Sequence, residues 1–168
     1  REPGFSSYPD QMTLTDYFAW LGPIYLLAVA WPLTVTDLRE RRLPNKYTLP
    51  AFPITLFGQF IAVCGGADGT RLLWSLFACI LAFSACLALN RYAGLGMGDV
   101  KLISGITYAL AWFNPLLPAV AIFVALMCAG IVSLIQVARR KTRMGSSIAL
   151  GPYLLIGFLL SLIAQGLS

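Results

Sequence analysis

The sequence predicts an all-α membrane protein, a bundle of about six transmembrane helices, and three observations carry that prediction. The chain is 58% hydrophobic and only 11% charged, a balance that belongs to a protein whose main solvent is lipid rather than to a soluble domain. Its apolar residues gather into long blocks over 18–35, 47–64, 72–89, 100–113, 115–137 and 148–163, most of them near the ~20 residues a helix needs to cross the hydrocarbon. None of the blocks alternates apolar with polar positions, as a spanning strand would.

Taken in order, residues 1–15 are polar, with Pro3, Gly4, Ser6, Ser7 and Pro9, and read as a flexible lead-in. Asp10 and Asp16 precede the first block while its basic residues follow it, the pattern of a retained span rather than a cleaved secretory signal. Because the sequence opens on Arg1 rather than Met, a few preceding residues are expected. The next connector, Asp37 to Asn45, holds much of the chain's charge and ends in a Pro44-Asn45 turn signal. The stretch from Gly65 to Gly69 reads as a plain connector with a solvated Asp68.

From Asn90 to Asp99 the chain carries glycines at 94, 96 and 98 ahead of the acid. Glycine costs a helix about 1 kcal/mol per residue, so this density predicts unusual backbone angles or close backbone approach. The block that follows would make a helix only ~21 Å long against a hydrocarbon core of ~30 Å. Its start is therefore expected in a water-filled recess, where non-helical backbone finds partners that lipid cannot supply. Connectors this short predict a single domain over 1–168. The four cysteines, Cys64, Cys79, Cys86 and Cys128, form no CxxC pair and read as small packing residues rather than as a disulfide or zinc framework.

The net charge of +5 has a topological reading. Arg39, Arg41, Arg42 and Lys46 follow the first block, Arg91 and Lys101 the third, and Arg139, Arg140, Lys141 and Arg143 the fifth; Arg1 and Arg71 alone fall on the other side. By the positive-inside rule the connectors after the odd blocks are cytoplasmic and both termini extracytoplasmic. Membrane lipid is the expected surrounding, and no nucleic-acid partner is expected.

Histidine is absent, which removes a Ser-His dyad and an HExxH zinc site, since both require imidazole. No metal and no cofactor are expected. Of the seven acids, Glu2, Asp10, Asp16 and Asp68 fall outside, leaving Asp37, Glu40 and Asp99 on the cytoplasmic side. Asp37 and Asp99 each border an apolar block, where an ionisable group usually faces a bundle interior or cavity. Brought together, two such carboxylates repel each other's charge, so one stays protonated and polarises a carbonyl while the other accepts a proton from water. Plainer roles stand beside this one: Asp37 could pair with Arg41 four residues on, and Asp99 could cap the helix after it.

The two segments together resemble the prepilin peptidases. That family carries an Asp shortly before a hydrophobic-Pro-Asn turn, as from Asp37 to Asn45, and Gly-x-Gly-Asp followed by x-Lys-Leu, as in Gly96-Met-Gly-Asp-Val-Lys-Leu102. Leu150-Gly-Pro-Tyr153 is similar to a third family feature before the last span. The resemblance implies a bacterial inner-membrane aspartic endopeptidase that removes the leader of type IV prepilins or pseudopilins at the cytoplasmic face, with Asp37 and Asp99 catalytic. Gly96 and Gly98 would admit the substrate strand, or only make a tight turn. Pro44 and Asn45 would shape the loop, and Gly151 and Pro152 would allow close helix packing near the site. Lys101 stands two positions from Asp99 and so on another side of a helix, where snorkelling to the surface competes with a contact in the site.

Larger members of that family insert a cytoplasmic domain tied to N-methylation between their first two spans. Here a short loop stands in its place, so methyltransferase activity is not expected. Presenilin-like proteases also use Gly-x-Gly-Asp but carry Tyr-Asp and Pro-Ala-Leu motifs that this sequence lacks. A small ion- or proton-coupled transporter using the same two acids is the non-enzymatic alternative.

Overall fold

The computed structural model describes residues 16–40, 43–138 and 150–167, and every regular element among them is helical. A 3-10 turn over Asp16–Trp20 leads into α1 (Leu21–Glu40). A short α2 (Asn45–Thr48) precedes α3 (Ala51–Cys64), followed by α4 (Gly69–Ala93), α5 (Met97–Ala111), α6 (Leu117–Ala138) and α7 (Gly151–Leu167). Six long helices thus stand where the six apolar blocks lie. The expected lead-in at 1–15, Arg41 and Arg42, and the basic stretch at 139–143 lie outside the described residues.

Four segments, Tyr17–Arg39, Asn45–Cys64, Gly69–Ala93 and Leu117–Gln136, are long and apolar enough to cross a membrane. The chain is a multi-pass membrane protein. At 15 and 17 residues, α5 and α7 are shorter. The second block divides into α2 and α3 at Pro50, which has no N–H to give a continuing helix. Asp68 is more than a solvated connector residue: its carboxylate accepts the Thr70 N–H at 2.9 Å and the Thr70 hydroxyl at 2.6 Å, capping α4. At the far end of α4 the chain turns through Gly94 at φ 71°, in the left-handed region that glycine enters without penalty.

The short helix α5 lies at the centre, packed against α1, α3, α4, α6 and α7. Every residue from Leu102 to Ala111 on it is buried. Its Leu102, Ile106 and Leu110 join Leu26 and Leu33 of α1 and Leu154 and Phe158 of α7 in one apolar core. The outer helices turn large side chains outward instead, as α4 does with Leu73, Trp74, Phe77 and Ile80. Lipid suits that surface as water would not.

Close backbone approach and a shared buried amide help to hold the helices in place. A Cβ on Gly157 of α7 would lie 2.2 Å from the Ala121 carbonyl oxygen of α6, so only glycine lets these helices touch there. Gln59 of α3, fully buried, donates to the Tyr108 carbonyl of α5 at 3.2 Å and accepts from the Ser75 hydroxyl of α4 at 2.8 Å. Three helices share this one amide.

Candidate active site

At one end of the bundle a cavity of about 440 Å³ is lined by Asp37 from the last turn of α1 and by Leu43 and Asn45 from the loop into α2. The start of α5 closes it from the other side with Gly96 to Asp99 and Lys101. Segments far apart in sequence meet here because α1, the α4–α5 turn and the start of α7 all reach the same end. Arg39, Lys46 and Arg91 belong to connectors or helix ends on that side.

Asp37 is only 4% exposed. Its Oδ2 accepts the Gly151 N–H at 2.9 Å, across 114 residues of sequence. Gly151 opens α7, where backbone N–H groups lack helical partners. Pro152 has no N–H to offer, and Tyr153 and Leu154 both donate to the Leu150 carbonyl at 3.1 Å. The Gly151 N–H is therefore left for Asp37. A Cβ at Gly151 would come within 2.6 Å of the same carboxylate oxygen, so the close approach requires glycine.

Asp99 is the third residue of α5 rather than its cap; Gly96 holds the capping position, in extended conformation at φ −59° and ψ 136°. The Asp99 carboxylate folds back over Gly96, where a Cβ would sit 3.0 Å from Oδ2. Asp99 lies outside the four long spans, ahead of the apolar run that begins at Val100. Burial, and then the charge of Asp37, push its carboxyl up to about 6. The two acids thus sense one another across the cavity. Cys86, buried on α4, also lies within electrostatic reach of Asp99.

The other residues expected at the site lie in or beside the same cavity. A Cβ on Gly98 would stand 2.7 Å from Leu43 Cβ and 3.2 Å from Leu43 N, so the space glycine leaves there is filled by the protein's own loop. Pro44 caps α2, its carbonyl accepting the Tyr47 N–H at 3.1 Å. The Lys101 Nζ donates to Asn45 Oδ1 at 2.7 Å in an exposed hydrogen bond, and both residues line the cavity that holds Asp99.

Leu43 is a lining residue that the sequence reading did not single out. Its signal was an apolar residue after Arg42 and before Pro44, in a loop otherwise full of charge. Among the described residues no three His, Cys, Asp or Glu side chains gather as metal ligands. A paired carboxylate in a polar, partly open cavity can activate water, and the Lys101 and Asn45 heads beside it can bind peptide polar groups.

Comparison with known proteins bears on the family of the chain. The model of the type IV leader peptidase family matches residues 24–135. The prepilin leader peptidase/N-methyltransferase of Aeromonas salmonicida (strain A449) is 32% identical over 160 residues, covering 90% of this chain and 52% of that protein. The protein of the same name from Pectobacterium carotovorum subsp. carotovorum is 32% identical over 155 residues, covering 88% of this chain and 52% of its own. That from Escherichia coli (strain K12) is 30% identical over 138 residues, 77% of this chain and 57% of that one. The chain spans about half the length of the curated relatives it matches, and no solved structure matches it. The resemblance read from the motifs is borne out, and the chain belongs to the type IV leader peptidase family.

Proposed function

We propose that this chain is an aspartic endopeptidase of the bacterial inner membrane that removes the leader from type IV prepilins or pseudopilins, using Asp37 and Asp99 to activate water. The observation that carries the proposal is the meeting of the two carboxylates in one cavity at one end of the bundle. Family membership and relatives named prepilin leader peptidase/N-methyltransferase support the substrate class. The proposal concerns the peptidase activity alone.

Like charges in one cavity oppose each other, so the working form holds a single proton between the two acids. The ionised carboxylate takes a proton from water as the water oxygen bonds to the scissile carbonyl carbon. The protonated carboxyl donates to the carbonyl oxygen, and a proton then passes to the departing amine. Gly96 and Asn45 border the space in which the peptide would lie. Among the described residues, Arg39, Lys46, Arg91 and Lys101 fall in or beside connectors at the cavity end, which supports a cytoplasmic cavity with the start of α1 and the end of α7 on the extracytoplasmic side. The six long helices act as one domain.

The test is leader removal in cells expressing this chain with a prepilin, comparing wild type with Asp37→Asn and Asp99→Asn. Each variant is expected to leave the precursor uncut while accumulating in the membrane at the wild-type level. Cleavage by both would reject the aspartic mechanism.

A further inference from the structure

The environments of the two acids differ, and the difference divides the labour between them. Asp37 meets the N-terminal end of α7 and accepts a backbone N–H that has no helical partner. An N–H at a helix N-terminus favours a carboxylate in its ionised form, through both the hydrogen bond and the partial positive charge of the helix end. Among the described residues no hydrogen bond reaches the carboxylate of Asp99, which is folded over Gly96 and faces the charge of Asp37.

From this asymmetry we infer that Gly151 is a positioning residue that makes Asp37 the general base and leaves Asp99 as the proton-holding acid. This rests on the aspartic reading above and deepens it. Asp37 takes the proton of the attacking water while the new C–O bond forms. Asp99 passes its proton to the carbonyl oxygen, giving a gem-diol. When the C–N bond breaks, the amine nitrogen takes the proton held by Asp37, and a gem-diol hydroxyl returns the other to Asp99. Both acids then regain their starting states. The local sequence serves the arrangement at each position: Gly151 admits the carboxylate, Pro152 offers no competing N–H, and the Leu150 carbonyl engages the next two amides.

Among the described residues, the groups that bear on the pair are few. Asp37 comes from α1, Asp99 and Lys101 from α5 and Cys86 from α4, with the exposed Lys46 on α2 nearby in sequence to Asn45. Gly151→Ala pushes a Cβ into Asp37 Oδ2 and weakens the N–H contact. It is expected to lower kcat at least tenfold with KM changed less than threefold. It is also expected to move the acidic limb of the pH–rate profile to higher pH by about half a unit to one unit, leaving the alkaline limb in place. If Asp37 were instead the acid, the alkaline limb would move, and the assignment would be overturned. It would equally be overturned if neither limb moved.

A second measurement needs no activity and no substitution. The 15N-labelled Gly151 amide of the wild-type chain in detergent should titrate with the lower of the two dyad steps, because its acceptor ionises first. An amide that follows the upper step overturns the assignment even if Gly151→Ala does not fold. The two ideas fail separately: cleavage by both Asp→Asn variants rejects the aspartic reading, whereas uncut precursor with a Gly151 amide on the upper step rejects only the division of roles.

Discussion

Lys101 Nζ lies 2.7 Å from Asn45 Oδ1, a hydrogen bond that fastens the second turn of α5 to the start of α2. The loop from Asp37 to Asn45 is thereby held at both ends, by the helix that carries Asp37 and by the helix that carries Asp99. A charge-assisted bond contributes up to about 1.5–3 kcal/mol when buried, and less at a site open to water as this one is. Lys101→Ala and Asn45→Ala are each expected to reduce kcat/KM roughly threefold to tenfold, about 1 kcal/mol by the usual conversion. The double variant should be little worse than either single one, since both remove the same bond. Losses that simply multiply would show that the two residues act separately.

Gly98 and Leu43 make the second fastening. Alanine at 98 would favour the helix by about 0.5–1 kcal/mol in isolation. Its Cβ, however, would lie 2.7 Å from Leu43 Cβ, and the loop would have to move away from Asp99. Gly98→Ala is expected to cost at least tenfold in kcat/KM, and adding Leu43→Gly, which removes the opposing Cβ, to recover part of it. Gly105→Ala on the same helix meets only Ala51 Cβ at 3.9 Å, an ordinary contact, and should leave cleavage unchanged. Equal losses at 98 and 105 would remove the steric argument.

The outline of the fold was legible because it rests on composition: each of the six apolar blocks became a helix, the short fourth block among them as the short buried helix α5. Charge topology and the absence of histidine narrowed the acids to Asp37, Glu40 and Asp99 on one side, and the resemblance of the two motifs to one family paired Asp37 with Asp99. The contacts that give each acid its surroundings were not. Gly151 reaches Asp37 across 114 residues, and Leu43 reaches Gly98 only through the relative placement of α1, α2 and α5. Such contacts depend on how helices pack, which periodicity within one helix does not encode. Asp68 is a different case, since Asp-Gly-Thr ahead of an apolar run is a cap signal that reading the loop as a plain connector passed over.

Asp99 ties activity to stability. Its carboxyl is raised from 3.8 to about 6 by burial and by the charge of Asp37, so the folded chain binds this proton more tightly than the unfolded chain does. The favourable contribution is present below about pH 4 and is lost as pH rises through about 6. Asp99→Asn removes the buried charge, and is expected to raise the melting temperature at pH 7 while abolishing cleavage. It should also flatten the part of the stability change between pH 4 and 6 that belongs to this group. A variant that melts lower than wild type at pH 7 would show that the Asp99 carboxylate is stabilised in the fold.

Gln59 offers the contrasting case of a buried polar group that serves structure. It is fully buried, donates to the Tyr108 carbonyl and accepts from the Ser75 hydroxyl, and so joins α3, α4 and α5. It does not line the cavity of the two acids. Gln59→Leu keeps the volume but withdraws a donor from the Tyr108 carbonyl and an acceptor from Ser75, which still has the Leu72 carbonyl at 2.9 Å. The net loss should therefore be that of about one buried hydrogen bond, roughly 1–2 kcal/mol. The expected result is a melting temperature lowered by several degrees in detergent, with kcat and KM per folded molecule unchanged. A drop in kcat at full stability would mean that the tie reaches the site through α5, whose first turn carries Asp99.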